Sequence, residues 1–237
     1  MHPLLFQQAT KHTSYRVLEL FLNHGFDINT PIDTNNPPAI ASSFHYINLT
    51  RWFLFHGADP NRRCDRNKDC TSLSIAFLDA EFEIIQLLLD HGASLRQGQV
   101  MHYAAMRELD DRLEVLRYLI AKDLPVNDIM YQNCGDEYYF HMYSGIATPL
   151  HYAAGKGLLD SVKVLVDGGA LPLIKDPSGR TAAEWAQMNH HISVVEFLRS
   201  LSTGDDDDFR QFTDTSGNHF RTVQLETLLT QTGLKLV

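Results

Sequence analysis

The sequence is poor in the residues that mark several large classes of protein. Only three of its 237 residues are cysteines, and their odd number and irregular spacing do not match the dense disulfide framework of a small secreted domain. No apolar run approaches the roughly 20 residues of a membrane-spanning helix, and the first residues lack the basic and apolar segments of a signal peptide. We therefore expect a cytoplasmic or nuclear protein without a membrane segment.

Positive charge is also scarce. Lysine and arginine number 20 against 29 aspartates and glutamates, which gives a formal net charge of −9. Such a field repels nucleic-acid backbones, so we expect no nucleic-acid partner. Hydrophobic residues make up 44% of the chain, enough for a packed core in one large domain or two small ones. The chain is expected to be folded and monomeric.

A short phrase built around a glycine recurs along the chain. Its copies are NHGFDIN at 23–29, FHGADPN at 55–61, DHGASLR at 90–96 and DGGALPL at 167–173. The glycines are separated by 32, 35 and 77 residues, and the longest gap holds two units if one unit carries an insertion. Asp123, in AKDLPVN, takes the place of the missing glycine. We expect a cost in stability there, since glycine suits the left-handed residue that ends a helix.

A second phrase precedes the glycines by about 20 residues in each unit. Its copies are TSLSIAF at 71–77, VMHYAAM at 100–106, TPLHYAA at 148–154 and TAAEWAQ at 181–187. The apolar residues between the two phrases have helical spacing, which predicts two helices in each unit. Thr71, Thr148 and Thr181 are placed to cap the first helices.

These features resemble the ankyrin repeat, in which a β-turn and two helices recur about every 33 residues with the pattern TPLHxAA. The resemblance predicts an all-α solenoid of about six units, covering 1–32, 33–67, 68–100, 101–128, 145–177 and 178–201. It also implies that His102 and His151 form hydrogen bonds between units. The first two units keep only the small residue and the apolar face of the pattern, so they rest mainly on their second helices.

Two segments depart from the period. Residues 129–144 form an insertion rich in tyrosine, which we predict to be an extended finger loop. Residues 202–237 are predicted to be an acidic linker followed by an amphipathic helix with Val223, Leu225, Leu228 and Leu229. That helix either caps the stack or recruits a second partner.

The candidate partner surface combines the concave face of units four to six with the insertion. In an ankyrin-like stack the x of TPLHxAA faces the concave side, and here it is aromatic in three successive units. Cations stand four residues later in two of these units, and aromatic residues with cations are enriched at binding hot spots. The predicted partner-binding residues are Tyr103, Arg107, Tyr138, Tyr139, Phe140, Tyr143, Tyr152, Lys156 and Trp185. A simpler alternative is that the aromatic residues cover neighbouring helices and the loop folds back as a plug.

No motif for catalysis, a cofactor or a metal emerges from the sequence. The twelve histidines form no HExxH pattern, the spacing of Cys64 and Cys70 does not suit zinc, and we expect both thiols to be unpaired in a turn. GKG at 155–157 lacks the length and the terminal Lys-Ser or Lys-Thr of a phosphate-binding loop. We therefore predict a non-enzymatic adaptor or scaffold that binds another protein. The alternative is a small-molecule-binding protein or enzyme in which the insertion is a lid, with His141, Asp136, Glu137 and Arg107 as polar groups.

Overall fold

A computed structural model describes residues 2–33, 38–65 and 68–202, without the side chains of residues 64, 65, 68 and 202. The chain divides into two compact units, 1–195 and 196–237. The described part of the second unit is the C-terminal portion of one helix. The predicted acidic linker and its helix with Val223, Leu225, Leu228 and Leu229 lie outside the described residues.

The regular secondary structure of the described residues is mostly helical and the helices follow one another in pairs, which confirms the all-α repeat fold. Before the insertion, the α-helices are α1 (Pro3–Lys11), α2 (Tyr15–Asn23), α3 (Ile47–Phe55), α4 (Ser72–Asp79), α5 (Phe82–Asp90), α6 (Val100–Ala105) and α7 (Arg112–Ala121). The rest are α8 (Asp136–His141), α9 (Pro149–Gly155), α10 (Leu159–Asp167), α11 (Ala182–Met188) and α12 (Ile192–Ser202). A 3₁₀ helix, Ala39–Ser43, precedes α3 and takes the place of a first α-helix.

The threonines predicted as caps occupy the N-cap positions of α4, α9 and α11. Thr71 and Thr181 form complete capping boxes with Ser74 and Glu184. In each box the threonine hydroxyl accepts from the backbone amide of the partner, and the partner's side chain accepts from the threonine amide. Thr148 differs, because its hydroxyl is 2.7 Å from Nδ1 of His151 and caps no backbone amide. The TPLH phrase therefore uses its threonine to orient the histidine.

The second helices end in a left-handed residue, as the recurring glycine predicts. Gly25, Gly57, Gly92 and Gly169 all have φ between 79° and 92°, and Asp123 has φ 55° at the equivalent place. After Gly169, the Ala170 amide donates to the Leu165 carbonyl at 2.9 Å, which satisfies a carbonyl of the last helical turn. The backbone at Asp123 has the glycine geometry without glycine's conformational freedom.

We expect Asp123→Gly to raise the free energy of unfolding by about 0.5–1 kcal/mol, because a side chain in the left-handed region is strained. Chemical denaturation followed by circular dichroism measures this change. The matched control is Gly169→Ala, where an added Cβ would meet no atom within 4 Å. We expect it to destabilise by a similar amount through the backbone alone. A loss of stability in Asp123→Gly would contradict the strain argument.

Asparagines tie successive units together at the turns, a feature that sequence analysis missed. Nδ2 of Asn29 donates to the Gly57 carbonyl at 3.0 Å, and the Asp59 amide donates back to Asn29 Oδ1 at 2.7 Å. Asn61 and Asn127 make the same paired bonds across their own junctions.

The junction between the third and fourth units lacks this tie. Arg96 stands at the position that Asn29, Asn61 and Asn127 hold in their own turns, and Pro125 stands where a backbone amide would donate. Arginine has no acceptor and proline has no N–H, so both halves of the tie are missing together.

A short antiparallel hairpin precedes α4, where sequence analysis predicted only a turn. It consists of β1 (Arg63–Asp65) and β2 (Lys68–Thr71), and it contains Cys64 and Cys70. The predicted turn is therefore wrong for both cysteines, which lie in strands, and the Cys70 side chain is buried and forms no disulfide. The hairpin also brings Asp69 into a buried position.

Candidate interaction surface

The insertion folds back onto the stack. Met130, Tyr131 and Ile146 form a small buried cluster, and Tyr103 and Tyr152 of the neighbouring first helices pack against it. Tyr138 and Met142 of the insertion add to the same cluster. The prediction of an extended finger is therefore wrong, because one side of the loop is apolar enough to cover the tyrosines of units four and five. The alternative of a loop that folds back describes it better.

A buried carboxylate anchors the insertion near its middle. Glu137, in the first turn of α8, accepts a hydrogen bond from the Asp69 amide at 2.9 Å and lies 3.7 Å from the Arg63 guanidinium. Its side chain is buried, as is that of Asp69. This contact joins residues 68 positions apart and holds the insertion against the hairpin two units earlier.

Asp69 is itself surrounded by donors. Arg63 donates to it at 2.8 Å, Gln99 Nε2 donates at 2.8 Å and the Gly98 amide donates at 3.3 Å. The Cys134 thiol also points to it, at 3.6 Å. Burial, with the Asp69 and Glu137 carboxylates, raises the pKa of Cys134 to about 12. The thiol therefore stays protonated at neutral pH and is a poor nucleophile.

The predicted aromatic row is a packed structure. Tyr152 and Trp185 meet edge to face at 5.6 Å between ring centroids. The Tyr152 hydroxyl donates to the Gly145 carbonyl at 3.4 Å, and burial raises the pKa of Tyr152 to about 12. Tyr103 lies at the same cluster on the other side. Tyr103 and Tyr152 thus form the floor under the insertion and are only partly exposed.

Trp185 is fixed from the following turn. Its indole Nε1 donates to Asp176 at 2.8 Å, and the Arg180 guanidinium lies 5.6 Å from its ring centroid. Asp176 also accepts from the Arg180 side chain, so the three residues restrain one another. The nearby His151 ring contacts the Arg180 carbonyl at 3.0 Å, which confirms the hydrogen bond between units that the resemblance implied.

The Arg107 side chain does not belong to the groove, which corrects the sequence prediction. It is fully buried, and its guanidinium donates to the carbonyls of Ala76, Phe77 and Ala80. It also forms two hydrogen bonds of 2.7 Å with Asp111. Arg107 therefore satisfies the C-terminal end of α4 in the preceding unit and cannot reach a partner in this state.

The second predicted cation, Lys156, is at the surface but is already paired. Its ammonium contacts the Glu108 carboxylate, and the contact holds the pKa of Glu108 below its usual range. Both side chains are substantially exposed, so the pair contributes little to stability. Of the two predicted cations, Arg107 is buried and Lys156 lies at the surface in a pair with Glu108.

The outer side of the insertion exposes three aromatic side chains. Tyr139 is 62% exposed, Phe140 70% and Tyr143 87%. They stand at helical spacing from Asp136, which is also exposed, whereas Glu137 and Tyr138 face inward. We call Asp136, Tyr139, Phe140 and Tyr143 the outer stripe. It is an exposed aromatic surface on a segment that Glu137 and the apolar cluster hold against the stack.

A cavity of about 570 Å³ lies between the base of the insertion and the turn that lacks the asparagine tie. Its lining includes Arg96, Pro125, Ile129, Gln132 and Cys134. The polar groups predicted for a lid enzyme do not line it, since Glu137 is bound to the hairpin and Arg107 to α4.

Within the ranges that the structure describes, no three His, Cys, Asp or Glu side chains are grouped closely enough to hold a metal ion. In those same ranges, no helix has the length and apolar character needed to span a bilayer.

Comparison with known families matches this chain to a model of three ankyrin repeats. The match covers residues 39–133 and 129–208, which is more than half of the chain. Among solved structures, an ankyrin repeat domain from Acinetobacter baumannii is similar, with a TM-score of 0.54 and 22% sequence identity. That similarity covers 82% of this chain and 96% of the other, and it supports the fold alone.

Curated relatives match over shorter stretches. A mitochondrial disaggregase of Bos taurus is 27% identical over 150 residues, 63% of this chain and 20% of that protein. A putative E3 ubiquitin-protein ligase of Arabidopsis thaliana is 43% identical over 53 residues, 22% of this chain and 14% of that protein. A palmitoyltransferase of Lachancea kluyveri is 32% identical over 98 residues, 41% of this chain and 11% of that protein. The chain thus spans no more than a fifth of these relatives' lengths.

Proposed function

Because this chain belongs to the ankyrin repeat family, we propose that it is an adaptor or scaffold that binds a partner protein through units four to six and the insertion. Ankyrin repeats are in general modules for protein interaction, and their fold is typically not enzymatic. The proposed contact surface is the outer stripe together with Trp185 and Lys156. Tyr103, Tyr138 and Tyr152 support this surface from beneath. We place the protein in the cytoplasm or nucleus.

The observation that supports this proposal most strongly is the exposure of Tyr139, Phe140 and Tyr143 on an anchored segment. Tyrosine and phenylalanine bury a large area on binding and lose little side-chain freedom, which makes them frequent interface residues. The Glu137 anchor and the apolar cluster order the segment before a partner arrives. Less conformational entropy is therefore lost on association.

We expect the double variant Tyr139→Ala, Phe140→Ala to reduce partner capture about tenfold or more, because such side chains are typical hot-spot residues. The measurement is affinity purification from native lysate, with the parent and the variant side by side. Tyr138 is left unchanged, because it packs against the buried cluster and its loss would disturb the fold.

The matched control is Phe55→Ala, which removes a side chain of 84% exposure at the end of α3. We expect it to capture the same protein as the parent, and all variants to keep the parent's circular dichroism spectrum. Equal capture by the double variant and the parent would overturn the site assignment.

The cavity at the base of the insertion favours a second candidate, the binding of a small molecule. Its volume is within the usual range for ligand sites, and it mixes apolar residues such as Leu124 with polar ones such as Gln132. A small molecule that co-purifies with the parent and raises its melting temperature, while no protein is captured, would make this candidate the leading one.

A further inference from the structure

The insertion and the residues that flank it carry acidic side chains but no lysine or arginine. Between Lys122 and Lys156 the sequence contains no lysine or arginine, but it contains Asp123, Asp128, Asp136 and Glu137. The Lys156 ammonium, the first cation after the insertion, is paired with the Glu108 carboxylate. Glu137 is buried and lies near Arg63, so Asp136 is the acidic side chain that α8 exposes.

Arg96 is exposed at the base of the insertion, but three other cations of the neighbouring units are engaged in contacts within the protein. Arg63 is bound to Asp69 and lies near Glu137, and Arg180 is bound to Asp176. Arg107 is buried at the end of α4. Asp136 is the charged member of the outer stripe, and its carboxylate is exposed. None of the ion pairs found among the described residues includes it.

The outer stripe combines that carboxylate with aromatic rings on one face. Asp136, Tyr139 and Phe140 are spaced i, i+3 and i+4, so they lie along one side of α8, and Tyr143 stands in the turn that follows the helix. All four are exposed. The negative face of an aromatic ring attracts a guanidinium or an ammonium group, and an adjacent carboxylate attracts the same cation.

We propose that the outer stripe binds a basic segment of the partner protein, one in which arginine or lysine alternates with apolar residues. This inference rests on the proposed function and specifies the partner's chemistry. The arginine or lysine pairs with Asp136 and stacks on Tyr139 or Phe140, and the apolar residues cover the rest of the rings. Charge complementarity of this kind selects the partner and speeds its association.

A peptide-binding experiment with the full chain tests this proposal. The probe is a fluorescent 14-residue peptide in which arginine and leucine alternate, and the reference peptide has glutamate in place of each arginine. Fluorescence polarisation gives the affinity at low and at high salt. We expect the arginine peptide to bind, the glutamate peptide not to bind, and the affinity to fall as salt rises.

Variants locate the binding site. We expect Asp136→Lys to weaken binding of the arginine peptide about tenfold, through charge reversal beside the rings. The matched control, Asp110→Lys, makes the same change at an exposed carboxylate between α6 and α7 and should bind as the parent does. Tyr139→Leu with Phe140→Leu keeps an apolar surface but removes the rings, and it should also weaken binding.

The outcomes separate this inference from the proposed function. If the natural partner is captured through Tyr139 and Phe140 but its capture is unaffected by Asp136→Lys and by salt, the basic-segment proposal fails and the interaction site stands. If both peptides bind equally, or neither binds, the charge argument is overturned. If neither the double alanine variant nor Asp136→Lys changes capture of the partner, the proposed function fails at this surface as well.

Discussion

Arg107→Ala is expected to lower the free energy of unfolding by about 3–5 kcal/mol, because it removes one partner of a buried charged network. The guanidinium is fully buried and supplies the carbonyls of Ala76, Phe77 and Ala80 as well as the Asp111 carboxylate. Alanine leaves all four without this donor and leaves a cavity in place of the long side chain. Urea or guanidinium denaturation measures the loss.

The geometry of the arginine should also matter. We expect Arg107→Lys to recover only part of the loss, because an ammonium lacks the planar fork that reaches carbonyls and a carboxylate together. The matched control is Arg117→Ala on the exposed side of α7, which we expect to change stability by less than about 0.5 kcal/mol. A change below about 1 kcal/mol in Arg107→Ala would contradict the assigned role.

Arg107 also shows which parts of the site were beyond the reach of sequence analysis. The period placed it four residues after Tyr103, and helical geometry alone predicted a surface cation. The carbonyls that it binds belong to the preceding unit and lie about thirty residues earlier in the chain. Every residue has a backbone carbonyl, so the sequence does not indicate which carbonyls accept hydrogen bonds from a side chain. No sequence pattern could therefore have predicted that Arg107 caps α4.

The repeated features were predictable because their causes are local. Contacts within a few residues determine the second helices and the positive φ of Asp123. They also determine the N-cap positions of Thr71 and Thr181. The insertion has no period, and its position depends on contacts such as the one between Glu137 and the Asp69 amide. Its tyrosines predicted an aromatic surface, but the sequence did not distinguish the packed Tyr138 from the exposed Tyr139.

The asparagine tie is a case where a sequence signal was present but was not used. Asn29, Asn61 and Asn127 each stand four residues after the left-handed position of their unit. The same place holds Arg96 in the third unit, and Pro125 removes the donor on the other side. Arginine and proline together identify the junction where the cavity opens, and that pairing could have been found by aligning the turns.

A second large effect is expected in the dependence of stability on pH. Burial lowers the pKa of His102 to about 4, against about 6.5 for an unperturbed histidine. The unfolded chain therefore binds a proton on this residue between these two values while the folded chain does not. The neutral ring contributes its full stability above pH of about 6.5, and the contribution falls by about 3 kcal/mol as the pH drops to about 4.

Comparison of the parent with His102→Gln separates the effect of His102 protonation on the unfolding free energy from the effect of carboxylate titration. Glutamine can still donate to the Asp128 carbonyl, which the ring Nε2 reaches at 2.8 Å, but it carries no titrating proton. We expect the difference in unfolding free energy between the two proteins to narrow by about 3 kcal/mol from pH 7 to pH 4. The same substitution at the exposed His91 is the matched control and should keep the parent's pH dependence.

The acid response should begin at the base of the insertion. His102 lies in α6, and the carbonyl that it binds is that of Asp128, immediately before the inserted segment. Protonation of the buried ring therefore disturbs the element that holds Tyr103 against the cluster of Met130 and Tyr131. Hydrogen exchange should show faster exchange in residues 129–146 before global unfolding as the pH falls. If the unfolding free energies of His102→Gln and the parent change equally with pH, the ring is not held neutral by burial.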